Sequence, residues 1–454
     1  LQYIANKKPP LPSVRYTFML SIMNTITKLS LSITGIFLLG ITTGCQNEPA
    51  EIQSIEPEAS LFAEDIAREI EQSTPTSLNI PLGLAAKLDI TFQGAFRVLA
   101  KGESSSSYAI GPLAYNRDNN SIFMAGHDHH RAIAEFEIPS KLSLEPKAAN
   151  IVKAKVLQSY VKALNKNKVG NKTDRITGLL YYQGKLLVNS EIWYDGSGKN
   201  KDNLQVISDA NDLKGADYKG MLQLQGAAKV AGYMSEIPDN LQKALGGKYI
   251  SGWASNYSIT SRYSQGPSLY VFNPEDAINA NLDGDRTIPS TPKMVFPFHG
   301  GKVLVQGGDK YTDDVSPIWS SMADARFGFI VPNTNIFMVV GYQGGLHGGI
   351  SYKIVQDTGR LCGGGCTKEA KDSYNYFWLF DINDIINAEE PHKIRPFSYG
   401  KWSHPYDKDG AHKIIGGTFD AENSRLFLTL KGAGRTGRYD RPPLIISYKI
   451  EAKH

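Results

Sequence analysis

A strand–turn–strand unit recurs along this chain and restricts its fold more than any other feature. Residues 110–139 read IGPLAYNRDNNSIFMAGHDHHRAIAEFEIP. They hold a strand-like opening, a turn over 116–120, a compact apolar strand over 122–125 and a polar break with three histidines. In the strand that follows, Ala132, Ala134, Phe136 and Ile138 alternate with Glu135 and Glu137, the period of a strand with one buried face. Approximations recur as ITGLLYYQGKLLVNSEIW from Ile176, as FGFIVPNTNIFMVVGYQGGLHGGISYKI from Phe327, and as IGGTFDAENSRLFLTLKGAG from Ile415, closing on PLIISYKI. Each sets a glycine near an apolar strand, then a turn, then a dense run such as IFMVV or LFLTL.

Helical periodicity is confined to short pieces, 241–247, 274–281 and 382–390, which read as turns crossing between sheets. The chain is therefore expected to be all-β. Residues 88–454 form one domain, with no Pro/Ser-rich linker to divide it into two sandwiches. At roughly 40–50 residues per four-stranded blade, the expectation is a single β-propeller of about seven blades. Its ring would close by pairing the strand near 90–100 with the strand at 444–450.

The chain starts with Leu1, and residues 1–22 read as a stretch upstream of the true start, with Met23 expected as that start and Met19 as the alternative. Residues 23–44 carry Lys28, an apolar core and small residues before a cysteine, the pattern of a secretory signal too short to span a membrane. The Gly44–Cys45 junction resembles the lipobox of bacterial lipoproteins, with Thr42 departing from that pattern. The resemblance implies a lipid anchor on Cys45 and an exported protein at the bacterial outer membrane, at the cell surface or in the periplasm. Residues 45–87 would be an acidic tether with a short helix at 61–71. Export favours a Cys362–Cys366 disulfide across the glycine spacer of LCGGGC over a metal pair. Forty-nine basic against 45 acidic residues, with no basic block, exclude nucleic acid as a first partner. The expected state is a monomer that touches the membrane through its anchor alone.

Histidines 127, 129 and 130 with Arg131 form the densest group of titratable side chains. If the segment stays extended, His127 and His129 face one side and His130 the other. That geometry suits a divalent metal such as zinc, manganese or calcium, or a general base. Arg262 with Tyr257 can clamp a carboxylate and a sugar ring. Trp319 offers a stacking face, Arg326 sits beside Asp324 at a strand start, and His347 is flanked by glycines. No nucleophile elbow, HExxH, P-loop or GxGxxG in strand–helix context is present.

An exported propeller with these residues resembles the propeller polysaccharide lyases, notably the ulvan lyases of marine bacteria. The resemblance rests on the strand pattern and on His127, His129, Tyr194, Arg262 and Arg326. It implies β-elimination from an acidic, uronate-containing polysaccharide, with those five as catalytic candidates and His130, Arg131, Tyr257, Trp319 and His347 as substrate contacts. The alternative is a non-catalytic cell-surface propeller that binds a glycan or a protein. A metal-dependent hydrolase or oxidoreductase would need a third ligand such as His299 or His347.

Overall fold

The computed structural model describes residues 76–78, 87–164, 166, 169–255, 262–306 and 315–453. The signal and lipobox reading, Cys45, the tether helix and Tyr257 lie outside the described residues.

Among the described residues, five sheets, each built on four antiparallel strands, make five blades, so the chain is a single β-propeller with five blades rather than about seven. In chain order the strands of blade I are Leu113–Asn116, Ser121–Ala125, Ala132–Glu137 and Val156–Lys162. Blade II runs Arg175–Tyr182, Lys185–Glu191, Leu204–Ile207 and Tyr218–Leu224, and blade III runs Tyr233–Glu236, Tyr249–Gly252, Leu269–Phe272 and Thr291–Met294. Blade IV runs Asp324–Ile330, Ile336–Gly344, Ser373–Asp381 and Ser398–Lys401. Blade V takes Ile414–Asp420, Arg425–Leu430 and Leu444–Lys453 from the C-terminal end and its outer strand, Lys87–Arg97, from the start of the domain. The last pairing runs from Lys87 opposite Lys453 to Arg97 opposite Leu444, the closure expected from sequence. Seven was an overcount because a blade was assigned 40–50 residues. Long connections at 138–155, 273–290, 295–323 and 345–372 stretch the repeat well past that.

Local chemistry explains the strands and their turns. Blade II turns at Gln183–Gly184 between the paired residues Tyr182 and Lys185, with φ of 47° and 73°. Those angles match the twist of a tight hairpin, and glycine takes the second at no steric cost. The short helices form where periodicity placed them, at Asp239–Leu245, Pro274–Asn279 and Ile382–Asn387. Asp239–Leu245 and Ile382–Asn387 connect strands within blades III and IV, whereas Pro274–Asn279 leads from blade III to Thr287–Ile288, which pairs with the last strand of blade II, the crossing between sheets expected from sequence. The loop at 281–287 is a pair of side-chain-capped turns, with Asn281 accepting from the Asp283 amide and Asp285 from the Thr287 amide.

The blades stack face to face, so both faces of a strand are buried. In Ala132–Glu137, Ile133 and Glu135 are as inaccessible as Ala132, Ala134 and Phe136. The buried Glu135 carboxylate survives because Asn116, Ser121 and Gln158 donate to it at 3.0, 2.6 and 2.6 Å. Toward the axis, the first strand of each blade packs on the next around the ring. Tyr115 N donates to Thr418 Oγ1 between blades I and V, and Ser235 Oγ donates to Gly328 O between blades III and IV. Glycine is required where these strands crowd. A Cβ on Gly178 would lie 1.8 Å from Gly232 O, and one on Gly416 would lie 2.2 Å from Gly111 O.

This packing sets a test of the ring. Gly178→Ala and Gly416→Ala should each lower stability by about 1–3 kcal/mol, because the clash is with rigid backbone. Gly437→Ala, where an added Cβ meets nothing within 4 Å, should stay within about 0.5 kcal/mol of wild type. Chemical denaturation midpoints read the difference.

Candidate functional site

Each blade's first strand starts, and its second strand ends, at the same end of the ring. That end therefore gathers five equivalent positions around the axis. They are His127 after blade I's second strand, Glu191 ending blade II's, Trp253 just after blade III's, Tyr342 near the end of blade IV's, and Lys431 just after blade V's. All five line one funnel of about 480 Å³, together with Asp128, His129, Arg175, Arg326 and Tyr108.

Cations and carboxylates alternate around this wall. Arg175 Nη2 meets Asp128 Oδ2 at 3.1 Å, and Arg326 Nη2 meets Asp324 Oδ2 at 2.6 Å. Asp324 also accepts from Trp253 Nε1 at 3.2 Å and Tyr342 OH at 3.0 Å, which ties blade III to blade IV. Lys431 has no carboxylate within 4 Å among the described residues, nor does Lys413, whose Nζ lies 4.6 Å over the Tyr342 ring. Burial, with Lys431 beside it, pushes Lys413 down to about 8. Burial and then Arg326 lower Lys431 as well. With Lys431 in the lining, Lys413 behind it and Arg326 beside both, this wall of the funnel is positively charged.

Glu191 is the main residue that sequence reasoning missed. It is 2 % exposed, and its Oε2 accepts from Tyr263 OH at 2.5 Å. Burial raises it to about 7, outweighing the Tyr263 bond and the fields of Arg175, Arg262 and Arg326, which all act to lower it. Arg175, Lys413 and Lys431 were missed too. The available signal was positional: had the repeats been aligned on their dense runs, NSE, VGY and TLK would have stacked at one end of the ring.

The histidine segment is a turn, not an extended strand. His130 N donates to His127 O at 2.9 Å, and Arg131 takes φ 54°. The turn stacks His127 on His130, with centroids 4.4 Å apart and planes at 22°, and puts His129 5.6 Å from His127. Ser104 Oγ lies 3.2 Å from His130 Nδ1, which holds that ring outside the funnel. His127 Nδ1 accepts the His129 amide at 3.2 Å, so its neutral ring carries the proton on Nε2. In that tautomer Nε2 is a donor, with no lone pair to take a proton or to bind a metal. Burial, then His130 and His129, lower its pKa and favour this neutral form. The expected His127–His129 metal bite is thus not formed. Among the described residues, no group of three or more His, Cys, Asp or Glu side chains is placed to hold a metal ion. His129 also lines the funnel, and its imidazole takes part in no hydrogen bond among the described residues.

The remaining sequence candidates divide. Arg326 lies in the funnel. Arg262 is 8 % exposed and is spent on structure, donating to Ile192 O at 3.1 Å and meeting Asp195 at 3.4 Å. Tyr194 is 66 % exposed on the same end but lies outside the funnel lining. Trp319 is fully buried against Trp378, at 5.3 Å between ring centroids, and is a core residue rather than a stacking platform. His347 stands away from the funnel, its Nε2 3.4 Å from Lys401 Nζ. Arg131 is partly buried at its turn and does not line the funnel. A disulfide joins Cys362 to Cys366, as expected, in the connection at 345–372.

No protein-family model matches the chain, and no curated protein matches it. Among solved structures, the chain is similar to the PQQ-bound aldose sugar dehydrogenase of Streptomyces coelicolor, at 9 % identity and TM-score 0.28 over 81 % of this chain and 100 % of that one. A member of the duf4221 family from Bacteroides vulgatus gives 9 % identity and TM-score 0.32 over 81 % and 99 %. U3-55K gives 11 % identity and TM-score 0.28 over 74 % and 67 %. Likenesses this distant carry nothing about what the chain binds or does.

The raised Glu191 pKa has a consequence for stability. A glutamate whose folded pKa of about 7 exceeds its ordinary 4.5 helps the fold most below pH 4.5 and loses that contribution as pH rises through 7. Glu191→Gln should therefore gain up to about 3 kcal/mol over wild type at pH 8. The gain should vanish near pH 4. Denaturation curves at the two pH values check it.

Proposed function

We propose that the funnel end of this propeller binds an acidic, uronate-bearing polysaccharide and cleaves it by β-elimination. The supporting observation is an asymmetry between the two ends of the ring. Connections at the funnel end carry nineteen Lys/Arg against eleven Asp/Glu among the described residues; those at the far end carry eleven against fourteen. An acidic polymer is drawn to the first and repelled by the second. The exposed tyrosines follow the same bias. Among the described residues, Tyr108, Tyr194, Tyr352 and Tyr439 stand on funnel-end connections, where flat rings offer stacking faces to sugars, and Tyr399 alone is elsewhere.

Elimination removes a proton from the carbon beside the uronate carboxylate, which requires that carboxylate to be neutralised. Lys431, Arg326 and Arg175 supply positive charge, and His127 Nε2–H supplies a donor. His129 is the base. His127, one of the histidines expected as a base, cannot serve through Nε2 in its preferred tautomer, and Arg262 is committed to Asp195 and the backbone. The route needs no covalent nucleophile and no metal. Following the sequence reading, the domain would meet its substrate outside the cytoplasm, held to a membrane by acylated Cys45.

The second reading, a binder without turnover, is favoured by one fact: both funnel arginines already pair with aspartates. A panel of uronate polymers separates the two. Elimination yields the ultraviolet absorbance of an unsaturated uronate, and His129→Ala should lower that rate by roughly 10²–10⁴-fold while leaving binding within a few-fold. Lys431→Ala should weaken binding and flatten its salt dependence. Salt-sensitive binding with no unsaturated product from the wild type would establish the binder instead.

A further inference from the structure

The floor of the funnel holds a carboxyl group that the base and the cations leave unused. Glu191 closes the second strand of blade II, and its two oxygens are not equivalent. Oε2 accepts from Tyr263 OH, while Oε1 takes no hydrogen bond from the described residues. An oxygen that already accepts a short bond is the poorer site for a proton, so the neutral acid carries its hydrogen on Oε1. Glu191 shares the funnel lining with Arg175, Thr177, Trp253, Arg326 and His129. Tyr263 is itself nearly inaccessible, packed edge-on against Trp253 at 5.2 Å, so the carboxyl group is held in one orientation.

We propose that Glu191 is the proton donor of this funnel, delivering its Oε1 hydrogen to the glycosidic oxygen that departs during elimination. The proposal rests on the elimination reading above. In the balanced step, His129 takes the proton from the carbon beside the carboxylate. The electron pair left behind forms the carbon–carbon double bond as the bond to the glycosidic oxygen breaks. That oxygen takes the Glu191 proton and leaves as a hydroxyl. Glu191 ends as a carboxylate facing Tyr263 and the charges of Arg175, Arg262 and Arg326, with Asp128 and Asp324 behind the first and last of these arginines. His129 returns its proton to solvent and Glu191 regains one, so no co-reactant is consumed.

The groups around Glu191 agree with this role. Its pKa, raised by burial to about 7, leaves a substantial protonated fraction near neutral pH, as a general acid requires. The three arginines would stabilise the carboxylate once the proton has gone. Tyr263 is a positioning residue: its bond favours the ionised form, so Tyr263→Phe should move the alkaline limb of activity to higher pH without removing it.

The test compares wild type with Glu191→Gln on two substrates. One is a uronate polymer, whose leaving sugar oxygen needs a proton. The other is a uronate bearing a nitrophenyl ether at the scissile position, whose phenolate leaves without one. The glutamine variant should lose roughly 10²–10⁴-fold on the polymer, stay within a few-fold on the nitrophenyl ether, and lack the wild-type fall in kcat/KM above pH about 7. Melting and oligosaccharide binding confirm that the variant is folded. Equal loss on both substrates, or no loss on either, overturns the donor role and leaves elimination standing. No unsaturated product from the wild type on any uronate removes the elimination reading and the donor role together.

Discussion

Ten paired positions between Lys87–Arg97 and Leu444–Lys453 hold this molecule shut. The two strands lie more than 340 residues apart in sequence, so their ladder pays the largest loop-closure cost in the fold. Closure sets the distance between opposite blades and hence the diameter of the funnel. Without it, blade V would lose its outer strand and expose an edge, and the first strands of blades V and I would lose the register that brings Gly416 against Gly111. The site at the end of the ring is a product of the seam on its side.

Within the ring, one structural position repeated five times makes the functional surface. The end of the second strand contributes an imidazole, a carboxyl, an indole, a phenol and an ammonium in turn. The scaffold requires these positions to surround the axis and leaves their chemistry open, so a single repeat yields an uneven wall. One side carries Lys431, with no carboxylate within 4 Å among the described residues. Another holds Glu191, where burial prevails over the attraction of three arginines. A carboxyl that is partly protonated near pH 7 inside a cationic funnel weakens the fold as pH rises and adds a proton to what the site can offer. Stability is given up at the place where chemistry would gain.

Much of the architecture could be read from sequence because strands report their own period. The glycine-led first strands at Ile176 and Phe327, the hairpin turns, the all-β class, the N- to C-terminal closure and the three short helices all follow from local pattern. Blade number did not, because loop length is set by what a loop does rather than by the ladder. The 28 residues at 345–372 and the 29 at 295–323 consumed the length assigned to two further blades. Alternation also misled in blade I. Glu135 looked solvent-facing, yet stacked blades bury both sides of a strand, and its partners Asn116 and Gln158 come from other strands of the blade. At the site, the histidines and Arg326 were found by residue type. Glu191 was not, because its burial and its partner Tyr263, 72 residues away, arise from packing that local pattern does not show.

The central claim is that the cationic, tyrosine-edged end of the ring is where an acidic sugar chain lies. A crystal structure of the propeller domain with a uronate hexasaccharide would examine it most directly. The account expects density in the funnel, with a carboxylate beside Lys431 and Arg326 and sugar rings leading out over the tyrosines of that end. Density confined to the opposite end of the ring, or none with the sugar present well above its solution affinity, would contradict it.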